Sequence, residues 1–579
     1  MVALIIPALV LLGLAPIVAL AHRRFGYTVC AAGSTLFLVH GVEVYTSTLG
    51  LFYIATGLVW VFSSSYSLFY DHHRWLAPLY ATSILGMALA LTTNNLLVFL
   101  AGYETMTIPA YVIIGLYKNT DYPAFVFMAF GELSTVLILV GFLYSYVLTG
   151  SLVFSTLGVA GPFILAALGF MVKMGVLPFM VTEWLPIAHG NAPSNVSAIL
   201  SASMTLVAAY GIVKMALLSP HPDYFGLILL GVGAFSVFFG AFYAYVSEHA
   251  KALLGFSTIE NNGAILASVG VFLTAPTLPL ARFALITASV YVLAHSLAKT
   301  GLFLTTGMME DVSLVKPSLA KNWFSTTGGI ILAASMSGLL PTLGGLATWA
   351  LLETLFMEAY TLHSTLSVIP IIGGSIIAMG EGFATSTMLK FIVFTHVFNK
   401  QTTAEKSRPI IILVLGIVVL AFGSLGYLFY TPFLASNPGL GLPFGLIAST
   451  FSDEPFGAIS PLYVLVLPLI IGALILVVVG RPRIRRVEVW NSGRPINEGY
   501  TSFAYSNNIR LMLRKLLLTQ VDTSHVSVVD VFWSFTHVLA RLYLGFSKRF
   551  ARAYMNSKLW WYVVYMILAL LVFTVVVLA

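Results

Sequence analysis

Charged residues and cysteines are both scarce in this sequence. Asp, Glu, Lys and Arg make up 8% of the 579 residues, whereas hydrophobic residues make up 59%. A soluble globular domain carries about 25% charged residues, so most of this chain cannot face water. The single cysteine, Cys30, excludes an internal disulfide and a cysteine-built metal or iron–sulfur site. Any redox chemistry must therefore belong to a partner protein.

Sequence motifs for nucleotides and metals are missing as well. The chain has no Walker loop, no nucleotide-binding glycine pattern after a strand and no zinc-ligand spacing. We therefore predict no cofactor and no metal. The net charge of +7 is spread over short loops and one C-terminal segment. That distribution suits a membrane protein with basic cytoplasmic loops and does not suggest a nucleic-acid partner.

Apolar stretches of about 20 residues, the length that crosses a bilayer, recur along almost the whole chain. Because the backbone must satisfy its own hydrogen bonds in lipid, these stretches form helices. The first lacks a basic leading region and a cleavage site, which indicates a helix rather than a cleaved signal. We predict an all-α polytopic protein of the cell membrane with about 14–16 transmembrane helices. The predicted spans are 3–20, 26–44, 50–69, 76–94, 96–117, 122–148, 160–181, 192–218, 224–246, 257–274, 281–307, 324–363, 367–394, 409–431, 460–479 and 559–578.

The basic residues agree with this count. With the N-terminus outside, the cationic loops fall inside the cell, and the outer loops carry almost no Lys or Arg apart from Arg282. Cytoplasmic loops of membrane proteins carry such an excess of Lys and Arg. The inner cations are Arg23, Arg24, Arg74, Lys118, Lys251, Lys316, Lys321, Lys400, Lys406, Arg408 and Arg481 to Arg486.

Two spans contain helix-breaking sequences, one at Pro178 and Pro186 and the other at Pro341 to Gly345. Broken helices at membrane depth are tolerated where they line a cavity, and matching breaks in two halves indicate inverted repeats around a transport path. We predict five segments: N-terminal helices (1–75), a first five-helix repeat (76–218), a second (219–400), further helices (401–480), and a C-terminal segment (481–579). That last segment comprises a cytoplasmic stretch, a lateral amphipathic helix at about 529–556 and a membrane anchor.

Several charged side chains fall within the apolar spans, where a charge costs roughly 2.5–3.5 kcal/mol. Such residues mark ion or proton pathways by default. His295 and Lys299 share one helix face because they are four residues apart. A lysine beside a glutamate keeps its proton and releases it once the glutamate moves away. The candidate translocation residues are Glu104, Lys173, His295, Lys299, Lys390, Glu132 and Glu353.

The sequence around these charges resembles the antiporter-like membrane subunits of respiratory complex I, energy-converting membrane-bound hydrogenases and multi-subunit sodium/proton antiporters. The resemblance covers roughly residues 75–400. It is strongest from Lys173 through Trp184-Leu-Pro-Ile-Ala-His189 to Pro193, with support from Leu254 to Asn261 and from the His295/Lys299 stretch. The Trp490-Asn-Ser-Gly-Arg stretch is most similar to hydrogenase-type members.

The resemblance implies roles for individual residues. Glu104 and Lys173 would form the pair of the input half-channel, and His295 and Lys299 would belong to the central and output path. Thr348 stands where hydrogenase-like members carry a glutamate, so Glu353 or Lys390 would take over the terminal role or the output route is altered. Two further departures are Ser201, where some members have a histidine, and Leu206, where others have a lysine.

The resemblance thus implies a proton- or sodium-translocating subunit of a membrane-bound oxidoreductase complex, with no redox chemistry of its own. Implied partners are sister antiporter-like subunits, a peripheral iron–sulfur or nickel–iron redox module and the lipid bilayer. Two alternatives stay open. The chain could be a non-conducting structural adaptor in such a complex, or a stand-alone secondary transporter.

Overall fold

A computed structural model describes most of the chain as α-helices. The helices of the N-terminal half are α1 Ile5–Ala21, α2 Arg23–Glu43, α3 Gly50–Ser67, α4 Leu76–Thr92, α5 Leu96–Lys118, α6 Asp121–Thr149, α7 Gly161–Met174, α8 Trp184–Asn191, α9 Ser194–Ile199 and α10 Thr205–Ala216. A π-helical segment, Leu200–Met204, joins α9 to α10. The described residues are 4–45, 47, 49–70, 73–118, 120–176, 184–315, 319–320, 322–362, 364–397, 403, 405–434, 459–480, 501–513, 520–521, 526–527, 531–554, 564 and 566–568.

The second half continues in the same way. Its helices are α11 Asp223–Val246, α12 Ala250–Thr274, α13 Leu278–Thr306, α14 Trp323–Met336, α15 Leu343–Thr361, α16 Val368–Ile392, α17 Ser407–Ser424, α18 Tyr427–Leu434, α19 Pro461–Val479, α20 Ser502–Met512 and α21 Val531–Tyr554. A short 3₁₀ turn, Thr365–Ser367, precedes α16 and a π-helical segment, Val393–Val397, follows it.

The prediction of an all-α polytopic membrane protein is confirmed. Eight helices of the described residues are long and apolar enough to cross a membrane, and several shorter apolar helices accompany them. Most helix bounds follow the predicted spans within a few residues; the exceptions include α7, which ends early at Met174, and α12, which begins seven residues before its predicted span. The predicted span at 324–363 is two helices, α14 and α15, and the predicted anchor at 559–578 lies almost wholly outside the described residues.

The chain forms two compact units, Met1–Met512 and Leu513–Ala579. The second unit contains α21, whose bounds match the predicted amphipathic helix, and a two-residue antiparallel pair formed by β1 Gln520–Val521 and β2 Val526–Ser527. Phe535, Leu542 and Phe546 on α21 are exposed large apolar side chains. The first unit carries all the candidate translocation residues.

Helices α11 and α12 pack with their backbones in near contact. A methyl group added at Gly240 would lie 2.5 Å from the backbone nitrogen of Glu260, and one at Gly233 would lie 2.6 Å from the Gly263 carbonyl oxygen. Only glycine permits so close an approach, and small residues serve this purpose in membrane helix packing. The middle of α12 is thereby held at the centre of the first unit.

Several of the basic residues predicted to lie inside bond to other inner loops at one end of the first unit. Lys118 donates to the Gly190 carbonyl at 3.0 Å, and Lys251 donates to the Ala192 carbonyl at 2.7 Å. Arg408 forms two hydrogen bonds with Glu405 and a third with the Gly307 carbonyl. Lys251 lies in the first turn of α12 and is buried, so it belongs to a helix and not to the inner loop in which the sequence placed it.

Candidate ion-translocation site

Both predicted breaks separate two helices, α7 from α8 and α14 from α15, although Pro178 of the first break lies outside the described residues. A glycine with left-handed backbone geometry lies at the start of each break. Helix α7 ends at Met174 and Gly175 follows with φ of +71°; α14 ends at Met336, and Gly338 has φ of +63°. Residues with side chains rarely adopt this geometry, whereas glycine does so at little cost. Each break leaves helix ends inside the bundle, beside buried charged residues.

Lys173 occupies the last turn of α7, directly before the first break. Its side chain is 1% exposed, and its ammonium donates to the Thr107 hydroxyl at 2.7 Å. The ammonium also lies 5.4 Å from the centre of the Tyr103 ring and 5.1 Å from that of Phe127. Cations are attracted to ring faces at such distances. Lys173 is therefore a deeply buried cation held by one hydroxyl and two aromatic rings.

Glu104 and Glu132 flank this lysine on α5 and α6, and the charges of both act on it. Glu104 is partly buried and accepts a hydrogen bond from Thr135. Glu104 and Lys173 form no direct ion pair among the described residues, because each is bonded to a threonine instead. Glu132 lies on an exposed position of α6 and so stands apart from the buried residues.

His295 and Lys299 are fully buried on α13 and reach the same small cluster of polar groups. His295 Nε2 lies 3.3 Å from the Ser201 carbonyl oxygen. The Ser201 hydroxyl is 2.7 Å from that of Thr258, and Lys299 donates to the Leu254 carbonyl at 2.9 Å. The predicted shared face of His295 and Lys299 thus meets α12 and the π-helical segment before α10.

Helix α12 contributes a buried polar stretch at mid-length. Its members are between 0% and 5% exposed: Ser257, Thr258, Glu260, Asn261 and Asn262. Asn262 donates to the Met174 carbonyl at 2.7 Å and so joins α12 to the end of the Lys173 helix. Glu260 is acted on by the charges of Glu381 and Lys299, and its Oε2 has no hydrogen-bond partner among the described groups. The stretch links the first break to the His295/Lys299 cluster.

Glu381 on α16 lies beside the second break. Its Oε1 accepts from the Tyr291 hydroxyl at 3.2 Å and from the Thr348 hydroxyl at 3.4 Å. A methyl group added at Gly338 would lie 3.1 Å from Glu381 Oε2, which places the carboxylate against the break. Thr348, which stands where a glutamate was expected, therefore contacts a carboxylate supplied by another helix.

Two more carboxylates follow on α15 toward the predicted outer face. Glu353 is 5% exposed and Glu358 is fully buried. Glu358 accepts a hydrogen bond from Thr274, the last residue of α12, while its Oε2 has no described partner. The distance along α12 from Glu260 to Thr274 is about 21 Å, so buried carboxylates extend from the middle of the unit to its outer end.

Lys390 lies apart from these residues, at the predicted inner end of α16. Its ammonium bonds the Tyr245 and Ser247 carbonyls at 2.9 and 2.7 Å and pairs with Glu248 at 3.0 Å. Glu248 also pairs with Arg510 on α20. Lys390 thus caps the carbonyl groups at the end of α11 and belongs to an ion network at the predicted inner end of the helices.

Sequence reasoning missed Glu381, Glu260, Glu358 and Glu248. The signal was present for Glu381, a single carboxylate in the middle of the apolar span 367–394. Glu260 was noticed only within a family motif. No described group of three or more His, Cys, Asp or Glu residues could hold a metal ion. The buried groups can instead carry, release and accept protons in turn, which is the chemistry of a relay.

A polytopic helical bundle with broken helices and buried Lys, His and Glu side chains defines an antiporter-like membrane protein. Residues 93–369 match the family described as NADH:quinone oxidoreductase/Mrp antiporter, transmembrane. The predicted resemblance to the antiporter-like subunits is therefore confirmed over this segment, which is just under half of the chain. Six of the seven predicted candidate residues lie within the matched residues 93–369, and Lys390 lies beyond them.

Three known proteins illustrate the likeness. Hydrogenase-4 component B of Escherichia coli strain K12 is 28% identical over 352 residues, which is 56% of this chain and 52% of that protein. This chain spans about half the length of that curated relative. A chain of the archaeal membrane-bound sulfane sulfur reductase matches with a TM-score of 0.78 at 18% identity, covering 98% of this chain and 99% of that one. A chain of the Mrp complex from Dietzia sp. DQ12-45-1b matches with a TM-score of 0.64 at 17% identity, covering 75% and 97%.

Proposed function

We propose that this chain translocates protons or sodium ions through its buried Glu, Lys and His side chains, as a subunit of a multi-subunit membrane oxidoreductase complex. A redox module in a partner protein drives the transfer. This chain itself supplies no redox group, and the ion crosses by moving between titratable side chains and the water that joins them.

The observation that carries this proposal is the set of ionisable groups buried inside the bundle on neighbouring helices. Lys173, His295, Lys299 and Glu260 are each at most 1% exposed. Buried charges are costly in a membrane, so their retention requires a use. If these side chains had only a structural role, apolar residues of similar size at the same positions would stabilise the fold more.

The position of Glu381 favours conduction over a purely structural adaptor. An adaptor with a decayed path would be free to lose the carboxylate on the output side. Here Thr348 and Tyr291 both donate to Glu381 at the second break. A carboxylate therefore stands next to the position where the family resemblance implied one.

The exposed Glu132 favours a membrane partner against α6. A carboxylate facing lipid within a membrane-crossing helix is unfavourable, and its neighbours Leu133, Val136 and Val140 are also exposed. A sister membrane subunit covering this face would remove Glu132 from lipid.

The test replaces Lys173 by alanine in the assembled complex, reconstituted in sealed vesicles. We expect redox-driven ion movement to fall at least tenfold, because the neutral amine of Lys173 accepts the proton that the input path delivers and its ammonium form then releases it. Assembly and uncoupled electron transfer should persist. A pH-sensitive dye and radioactive sodium flux distinguish the two ions.

Lys214→Ala is the matched control. Lys214 lies at the end of α10, where its ammonium donates to the Thr93 carbonyl at 2.7 Å, outside the buried set. We expect the complex that carries Lys214→Ala to move ions at the normal rate. Ion movement that is unchanged in Lys173→Ala, with the complex intact, would remove the proposed path and leave the adaptor function.

A further inference from the structure

A basic cavity of about 460 Å³ lies where the turn between α1 and α2 meets the turn between α3 and α4. Both turns belong to the predicted inner face. The lining residues are Leu20, Ala21, His22, Arg23, Arg24, Tyr27, Ser67, Leu68 and Arg74. The cavity is separate from the translocation residues and is not used by the proposed function.

The charge of this cavity is strongly positive. Three arginines line it, and none of its lining residues is acidic. Asp71, in the second turn, lies outside the described residues; counted with the three arginines, it still leaves the two turns with a net charge of +2. Arginine presents donors in a fork that matches phosphate oxygens. The cavity therefore suits a phosphate group.

Aromatic residues place the cavity at the level of the lipid headgroups. Phe25, Phe69 and Trp75 flank the two turns and are 58%, 54% and 42% exposed. Aromatic side chains, Trp in particular, are enriched where membrane helices meet the headgroup region. The Arg74 guanidinium lies 5.1 Å from the centre of the Trp75 ring, which directs that cation toward the same level.

An exposed apolar stripe on α1 leads away from the cavity into the membrane. Its members recur every three or four residues and are all at least 45% exposed: Ile6, Val10, Leu14, Ile17 and Leu20. Leu20 is also a lining residue of the cavity. The stripe is about 21 Å long, enough for the acyl chains of one leaflet of a hydrocarbon core about 30 Å thick.

We propose that this cavity binds the phosphate of an anionic phospholipid whose acyl chains lie along the exposed stripe of α1. Basic pockets between membrane helices on the cytoplasmic side recognise such headgroups. A free phosphate could bind the same arginines, but it would make no contact with the apolar stripe of α1 or with the aromatic side chains that flank the two turns. The cavity therefore selects a lipid over a soluble anion.

The test measures lipid binding to the detergent-purified full chain by native mass spectrometry. Phosphatidylglycerol and phosphatidylcholine are titrated separately, with inorganic phosphate as competitor. We expect phosphatidylglycerol to bind at least tenfold more tightly than phosphatidylcholine and to resist phosphate. Each arginine lost should weaken phosphatidylglycerol binding by about fivefold, so Arg24→Gln with Arg74→Gln should reduce it by about twenty-fivefold.

Two further variants separate charge from folding. Arg24→Lys with Arg74→Lys keeps the charge and should retain most of the binding, whereas Arg282→Gln removes a cation on the predicted outer side and should have no effect. Unchanged binding in the double glutamine variant, equal loss in Arg282→Gln or equal affinity for phosphatidylcholine would overturn the proposal. Displacement of lipid by phosphate alone would show a free-anion site instead. Because Arg24 and Arg74 are exposed, the elution profile and thermal midpoint should be unchanged.

Discussion

Thr348 stands where the family resemblance implied a glutamate, but a neighbouring helix supplies a carboxylate at the same place. Its hydroxyl donates to Glu381, so a hydrogen-bond donor on α15 and a carboxylate on α16 stand together at the second break. A hydrogen bond to a charged group contributes about 1.5–3 kcal/mol. Thr348 therefore positions the carboxylate that the proposed output path needs.

Replacing Glu381 by glutamine should abolish most ion movement, because glutamine keeps the hydrogen bonds but cannot accept a proton. Thr348→Val should reduce transport by about tenfold, in line with the loss of one hydrogen bond to the carboxylate. Transport is measured in vesicles containing the assembled complex. Glu310→Gln, an exposed carboxylate on an inner loop, is the control. Normal transport in Glu381→Gln would exclude this residue from the path.

At the residue scale, the sequence predicted the buried lysines and His295 because each is a charged or titratable group in an apolar span. It could not predict their partners, since Thr107, Ser201 and the Leu254 carbonyl come from distant parts of the chain. It also assigned a path role to Lys390, whose contacts with Glu248 and two carbonyls lie at the inner end. That role stays a prediction, because burial next to a charged partner serves structure as well as transfer.

At the scale of elements, the hydrophobic pattern predicted most helices because span length and charge placement are both set by the bilayer. The breaks were predictable from proline. Their geometry was not, because it depends on Gly175 and Gly338 adopting left-handed angles. The start of α12 was placed seven residues too late, since His249 caps the helix well before its apolar stretch begins.

His249 caps α12 by accepting at Nδ1 from the Ala252 backbone N–H, 3.3 Å away. Burial, with help from the Lys118 and Lys251 charges and against the opposing charge of Asp311, lowers the pKa of His249 to about 4. The folded state therefore binds fewer protons than the unfolded state between about pH 6.5 and 4. The stabilising contribution is complete above that window and is lost as the pH falls through it.

The thermal midpoint of the detergent-purified chain should consequently fall between pH 7 and pH 5, in part because of His249. In His249→Asn the asparagine still accepts at the helix start but does not titrate, so the decrease should be smaller. His73→Asn, on another inner loop, is the control and should match the parent chain. Identical pH slopes for all three proteins would mean that His249 does not contribute.

At the scale of the whole first unit, one carboxylate joins three distant parts of the chain. Glu248 follows α11, Lys390 lies in the last turn of α16, and Arg510 belongs to α20. Arg510 is more than 260 residues beyond Glu248 in the sequence. Lys390 is fully buried and Arg510 is 1% exposed. Glu248 itself is 22% exposed, so the network is largely buried, and removing one partner leaves the remaining charges less compensated. The network therefore anchors α20 against the inner ends of the membrane helices.

Arg510→Met should release α20 while leaving the membrane helices folded. We expect cleavage near residues 481–512 by added protease to be at least tenfold faster than in the parent chain, measured by gel analysis of intact membranes. Arg408→Met is the comparison, since Arg408 bonds mainly to Glu405, three residues away. An unchanged cleavage rate in Arg510→Met would mean that the network does not secure α20.

The polarity of α12 bears on how the nascent protein enters its membrane. Although α12 is 25 residues long, it is too polar to count among the eight helices suited to crossing alone. Insertion machinery that sorts emerging segments by their preference for lipid would hold α12 back. The glycine contacts at Gly233 and Gly240 give it a ready companion in α11, the strongly apolar helix made just before it. We therefore expect α11 and α12 to insert into the bilayer together, as a helical hairpin.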